Sequence, residues 1–272
     1  MQHIISSQEY LLGLGISSGL EDAQLDSLLE KMVPDKQDRT NLRIILANHK
    51  GNKLPTKEET LLVGRLVHSE YYDHRTTQDP RLFEAEVNLL SYHVKNRRNI
   101  LSLGSGSGLL EGILAYNHPQ TNFLATDISP EMLHEIREKR RKIGLRNLRT
   151  RKLDVTKLSR SRGDYGKFDF IFSIDNPGWF DEADFLLELR KKLVKDGELL
   201  IAATSYVHRD DHGYLDPKLL EETRKGGRCV NFLDARKMAR ESGMGFVTGY
   251  QEVKGATIPT FIFWKLFHNY VH

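Results

Sequence analysis

The sequence predicts an α/β protein: a mainly parallel sheet of seven strands with an antiparallel hairpin at its C-terminal edge, preceded by a helical N-terminal region. Three observations carry that prediction. Apolar residues recur at helical spacing through residues 1–95. From Asn99 onward, short β-rich runs alternate with helical stretches, the pattern of a parallel sheet covered on both faces. The last two β-rich runs have no helix between them, which makes them an antiparallel pair at one edge.

In the helical region, EDAQLDSLLEKMV sets Leu25, Leu28, Leu29 and Met32 on one face, and Pro34 ends the helix. RTNLRIILANHK continues the pattern. TKEETLLVGRLVH opens with Thr56 and Glu59 at capping-box spacing. RLFEAEVNLLSYHV closes the region just ahead of Asn99. The β-rich runs follow as NILSLG, NFLATD, LRTRKLDV, FDFIFSID, ELLIAAT, GFVTGYQEV and TFIFWKLF. The change of pattern divides the chain into a helical cap or lid, residues 1–95, and a sheet domain, residues 96–272.

Composition narrows the class. A chain of 272 residues with 39% apolar side chains builds a sizeable core. Its formal net charge of +3 demands no polyanionic partner. The single cysteine, Cys229, excludes an internal disulfide and fits a reducing compartment, and its thiol reads as inert. No basic start with a long apolar stretch marks a signal peptide, and no run is long enough to span a bilayer, so a cytoplasmic location without membrane contact is expected.

The chemistry concentrates in NILSLGSGSGLLEGILA, Asn99 to Ala115. A glycine turn between a strand and a helix permits close backbone approach, and the helix start offers free N–H groups to a ligand. Gly104, Gly106 and Gly108 are therefore read as a ligand cradle. The dinucleotide spacing G-x-G-x-x-G fails, because Leu109 and Glu111 stand where its third glycine belongs. Asp127, at a strand end about twenty residues beyond the turn, is placed to accept ribose hydroxyls. Ser129 and Pro130 suit the start of the next helix and so leave Asp127 to a ligand.

Five ordered stretches, LSLGSGSG, FLATDISPEML, KLDVTKL, FDFIFSID and LRKKLVKDGELLIA, together resemble the class I S-adenosylmethionine-dependent methyltransferases from Asn99 to the C-terminus. The resemblance implies a Rossmann-like sheet and S-adenosyl-L-methionine as cofactor. It implies binding by Gly104, Ser105, Gly106, Gly108, Asp127 and Ile128, with Asp154 and the Val155 N–H at the adenine, and with Ser173 and Ile174 at the sulfonium end. Asp154 as a plain turn residue is the competing reading. The family often has an acid two positions before the first glycine, where this chain has Ser102; Glu111 reads as structural or solvated.

Acceptor-contacting residues are expected after the fourth and fifth strands. Asn176, Pro177, Gly178 and Trp179 in DNPGWF faintly resemble the N-P-P-aromatic motif of amino-group methyltransferases, with Gly178 in place of the second proline; Asn176 and Trp179 are candidate substrate contacts, and the adjoining Asp175 is a candidate catalytic residue. Tyr206, His208 and His212 in TSYVHRDDHGYLDP offer a substrate contact and a general base, the plainer reading being an exposed polar loop. That cluster has no recognised metal-ligand spacing. Ahead of the sheet, Tyr71, Tyr72 and Arg75 are candidates for the cofactor's methionine end, or for helix anchors. Between Arg137 and Arg162 stand twelve Lys or Arg and two acids, without aromatics for base stacking, so a solvated basic face is preferred over an RNA site.

The expected function is methyl transfer to a small-molecule acceptor on O or N. The alternatives are an RNA or protein methyltransferase, a non-catalytic cofactor-binding module, and an aminopropyl-type transferase. The oligomeric state is open.

Overall fold

A computed structural model describes residues 4–50, 62, 73–74, 76–155, 158, 166–174, 183–202, 232–253 and 256–265. Its sheet has seven strands: β1 (Asn99–Leu103), β2 (Asn122–Asp127), β3 (Leu148–Lys152), β4 (Phe168–Ile174), β5 (Leu193–Ala202), β6 (Met244–Val253) and β7 (Ala256–Lys265). Their order is β3-β2-β1-β4-β5-β7-β6. The pairs β1–β2, β1–β4, β2–β3 and β4–β5 are parallel. β7 runs antiparallel to both β5 and β6, so the C-terminal hairpin inserts its second strand beside β5 and leaves β6 at the edge. This is the Rossmann-like arrangement that the sequence predicts.

The described helices are α1 (Ser7–Leu14), α2 (Asp22–Met32), α3 (Lys36–Lys50), α4 (Pro80–Val94), α5 (Leu109–Asn117), α6 (Pro130–Lys142), α7 (Ala183–Lys192) and α8 (Phe232–Ser242). Local chemistry fixes their starts. Asp79 caps α4 through Arg81 N and Leu82 N, with Pro80 in the first turn. Ser129 caps α6 through Met132 N, and Pro130 follows it, as the sequence indicates. In α2, Leu25 and Leu29 are buried with Val33 and with Leu42 of α3, and Leu28 and Met32 pack beside them. The helix expected over TKEETLLVGRLVH lies outside the described residues except for Leu62, which is helical.

Each face of the sheet buries its own core. On one face Leu186 and Leu189 of α7 and Met238 and Ala239 of α8 pack against Ile171, Leu199 and Phe263. On the other, Leu114 of α5, Leu133 and Ile136 of α6, and Leu90 and Val94 of α4 pack against Ile100, Phe123 and Phe170. Helix α4 thus lies in the layer that covers the sheet, although it is the last helix of the N-terminal region.

Helix α1 has no counterpart in the sequence reading. A capping box of Ser6 and Glu9 starts it, and Gly15 in the left-handed region ends it. It docks Tyr10, Leu11 and Leu14 against Phe83 and Val87 of α4 and Leu109 and Ile113 of α5. A reciprocal amide pair fastens its approach: Ile5 N–H donates to Asn117 Oδ1 at 3.0 Å, and Asn117 Nδ2 donates to the Ile5 carbonyl at 3.0 Å.

Candidate functional site

Strand β1 is buried from Ile100 to Leu103 and delivers the chain to the glycine turn at the carboxyl edge of the sheet. Gly104, Gly106 and Gly108 have φ of +67°, +53° and +77°, a left-handed backbone that only glycine adopts readily. At Gly108 packing adds a second demand. A Cβ there would stand 2.5 Å from Ile136 Cγ1, so helix α6 itself fills the space beside this glycine. The alternating pattern is in part a folding requirement of the turn.

Hydroxyl and carboxylate groups hold the turn in shape. Ser105 Oγ donates to Ser102 Oγ at 3.0 Å and accepts from Thr126 N–H at 3.1 Å. Thr126 Oγ1 donates to the Ser102 carbonyl at 2.6 Å. Asp127 accepts the Gly106 N–H on Oδ2 and the Ser129 N–H on Oδ1, both at 2.9 Å. Ser129 caps α6 as predicted, yet Asp127 is not thereby left idle. Burial pushes the Asp127 carboxyl above the usual range, opposed by its backbone donors.

Next to the turn a cavity holds about 490 Å³ of space, part of it open to solvent. Gly104, Ser105 and Ser107 line it from the turn, Phe172 and Ile174 from β4, and Thr76 and Glu86 from the N-terminal region. Ser102 and Glu111 form its buried wall, at 3% and 2% exposure. Ser102 Oγ donates to Glu111 Oε1 at 2.5 Å, while Glu111 Oε2 is buried without a hydrogen-bond partner among the described residues. Burial raises the Glu111 carboxyl to about 7; the hydrogen bond from Ser102 is the main opposing influence, and the charge of Asp127 adds to the rise.

That shift has a consequence for stability. The folded-state value of about 7 lies above the ordinary 4.5, so the folded protein retains a proton that the unfolded chain gives up. The stability gained from this proton is fully present below pH 4.5 and is lost as the pH rises through 7. Glu111→Gln, a neutral isostere, is expected to stabilise the ligand-free protein by about 3 kcal/mol above pH 7 and by about 1 kcal/mol or less near pH 5. Urea unfolding at the two pH values checks this; an equal effect at both contradicts it.

Other sequence-predicted residues fall around the same edge. Asp127 ends β2 and the half-buried Ile128 follows it, and the Leu153 N–H donates to the Asp127 carbonyl at 3.0 Å, bringing Asp154 and Val155 alongside. Val155 packs in part against the core on the α7 side. None of these lines the cavity, which lies on the Ser102 side of the turn. Ser173 is buried, and its Oγ donates to the Leu103 carbonyl at 3.0 Å, tying β4 to β1; Ile174 lines the cavity. Tyr71, Tyr72, Arg75, Asp175, Asn176, Trp179, Tyr206, His208 and His212 lie outside the described residues, as does Cys229.

Sequence reasoning missed Glu111 as a member of the site, along with Thr76 and Glu86. The one available signal was Ser102 itself, a neutral residue where an acid is common, with an acid nine positions later in the first turn of the next helix.

Much of the basic stretch has internal partners. Lys139 Nζ contacts Asp73 Oδ2 at 2.8 Å and donates to the Ser107 carbonyl at 3.2 Å. Lys142 Nζ donates to the Leu14 carbonyl at 2.6 Å, and Arg140 Nε donates to the Leu145 carbonyl at 3.2 Å. Among the described residues no cluster of His, Cys, Asp and Glu could hold a metal ion, and no helix is long and apolar enough to cross a membrane.

Comparison with known proteins agrees with this geometry. Residues 100–197 match a family model described as a methyltransferase domain. A SAM dependent methyltransferase from Aquifex aeolicus superposes with a TM-score of 0.52 at 21% identity, over 68% of this chain and 92% of that one. An O-methyltransferase family protein from Burkholderia thailandensis gives 0.56 at 16% identity, over 87% and 76%. Human N-acetylserotonin methyltransferase, solved in complex with SAM, gives 0.51 at 13% identity, over 77% and 56%. No curated protein matches the sequence at a significant level.

Proposed function

We propose that this chain, a methyltransferase of class I fold with its methyltransferase domain at residues 100–197, transfers a methyl group from S-adenosylmethionine to a small-molecule acceptor. When bound, that donor supplies an electrophilic methyl on a sulfonium, and the reaction needs alignment more than covalent help from the protein. The residues suit such a donor. The turn at Gly104–Gly108 sits at the carboxyl end of β1, where open α/β sheets bind ligands. Asp127 closes β2 beside it, and the buried Glu111 carboxylate faces a polar cavity. Asp154 and Val155, after β3, are assigned to the adenine end.

The observation that favours a compact acceptor is the cavity wall. Thr76 and Glu86 of the N-terminal region line the cavity together with the turn, which supports reading residues 1–95 as a cap over the donor site. An RNA or protein substrate calls for an open basic groove, and Lys139, Arg140 and Lys142 of the basic stretch have partners inside the molecule. Asp175, His208 and His212 remain the proposed acid–base groups, with Asn176, Trp179 and Tyr206 at the acceptor and Tyr71 and Arg75 at the donor's methionine end.

Titration calorimetry with S-adenosylmethionine, followed by assay of S-adenosylhomocysteine release across a metabolite panel, tests the proposal. Binding together with acceptor-dependent release is the expected result. Binding with no release on any acceptor identifies a cofactor-retaining module instead, and methylthioadenosine as the product identifies an aminopropyl-type transfer. The same assay on His208→Ala and His212→Ala distinguishes a base, whose loss slows turnover about 100-fold or more, from an exposed loop.

A further inference from the structure

We propose that Glu111, in the first turn of α5 and oriented by Ser102, is the counter-charge for the ammonium group of the bound donor. The inference rests on the donor reading above and adds the residue that selects its amino-acid end.

The geometry sets out the need. Glu111 is one of the most buried acids among the described residues, at 2% exposure, and it lines the cavity beside the glycine turn. One of its oxygens is satisfied by Ser102 Oγ at 2.5 Å, while Oε2 has no donor among the described residues. A buried carboxylate oxygen without a partner is costly, and it persists where a ligand completes it. Among the described residues none supplies the missing cation. Tyr10 of α1 and Asp127 at the end of β2 act on it electrostatically, and Glu86 of α4 lines the same cavity. Lys139 of α6 is engaged by Asp73 and Ser107. The cavity therefore presents acidic and hydroxyl groups around one incomplete carboxylate, a setting for a small cation that carries several N–H donors. An α-ammonium fits that description. The ribose and adenine of the donor carry no such charge.

The same surroundings predict how the pairing behaves. Without ligand, burial keeps Glu111 largely protonated below about pH 7. An arriving ammonium favours the carboxylate, so binding expels the carboxyl proton to solvent. Affinity then rises with pH and levels off once Glu111 is already ionised.

Calorimetry with two ligands tests the assignment. S-adenosylhomocysteine carries the ammonium; methylthioadenosine shares the nucleoside and lacks the amino-acid chain. In wild type at pH 6, S-adenosylhomocysteine is expected to bind with release of nearly one proton, read from the heats in two buffers of different ionisation enthalpy. Glu111→Gln is expected to weaken it about 30-fold or more and to abolish that proton release. Methylthioadenosine should bind both proteins equally, which also shows that the variant is folded. Ser102→Ala should give a smaller loss for S-adenosylhomocysteine alone. Wild-type affinity of Glu111→Gln for S-adenosylhomocysteine overturns the pairing, as does an equal loss for both ligands. If neither ligand binds wild type, the donor reading falls and the pairing falls with it.

Discussion

Lys139→Met will destabilise the protein by about 3–5 kcal/mol at neutral pH, the usual cost of removing one partner from a buried ion pair. Lys139 Nζ lies 2.8 and 3.1 Å from the two Asp73 oxygens and 3.2 Å from the Ser107 carbonyl. The side chains of Lys139 and Asp73 are 11% and 4% exposed. Methionine keeps most of the stem and removes the charge, so the loss reports on the stranded Asp73 carboxylate rather than on a cavity. Burial already pushes that carboxyl up, with Lys139 as the main opposing influence. Without the lysine it rises further above its unfolded value. The penalty is therefore full at neutral and alkaline pH and shrinks as the pH falls and Asp73 takes up its proton. Asp73→Asn in the Lys139→Met background removes the stranded charge and should recover most of the loss. Urea unfolding at pH 5 and pH 8 measures all three proteins; a loss below about 1 kcal/mol, or one indifferent to pH, contradicts the account.

The second large effect is expected at Gly112. Alanine in mid-helix ordinarily gains about 0.5–1 kcal/mol over glycine. Here the sign reverses. A Cβ at Gly112 would overlap Tyr10 Oη and stand 2.9 Å from Tyr10 Cζ. Tyr10 is 2% exposed and anchors α1 in the cluster with Leu11, Leu14, Phe83 and Ile113. Gly112→Ala must tilt the ring outward or lift α1, at a cost of about 1–3 kcal/mol. Tyr10→Phe alone is close to neutral or slightly stabilising, because the buried hydroxyl has no hydrogen-bond partner among the described residues. The double variant should recover part of the Gly112→Ala loss, since the overlapping oxygen is gone. A thermodynamic cycle over the four proteins measures the coupling, and strict additivity would exclude the steric explanation.

These two sites show which parts of the molecule were legible. Strands were readable because a parallel sheet buried on both faces writes each strand as an apolar run, as in Ile100–Leu103 and Phe170–Phe172. Helix α6 was readable from Ser129 and Pro130, whose effects are local. Helix α1 was not, because its eight residues include Gly13, end at Gly15, and depend on contacts with α4 and α5 for stability. The glycine turn was located correctly, whereas one reason for Gly108 lies in Ile136, 28 positions along the chain. Glu111 was invisible as a site residue for a similar reason. Its pairing with Ser102 crosses from strand to helix, and only the seating of α5 on the sheet turns that side chain into the cavity.

The outermost position of β3 bears on the fate of the protein at high concentration. Among the described strands it pairs with β2 alone, so its other side is a sheet edge of the kind that can template fibrous association. Arg149 and Lys152 are exposed along it. A second copy approaching edge to edge would bring like charges together before any hydrogen bond could form. At this strand the cationic run sets like charges against a second copy.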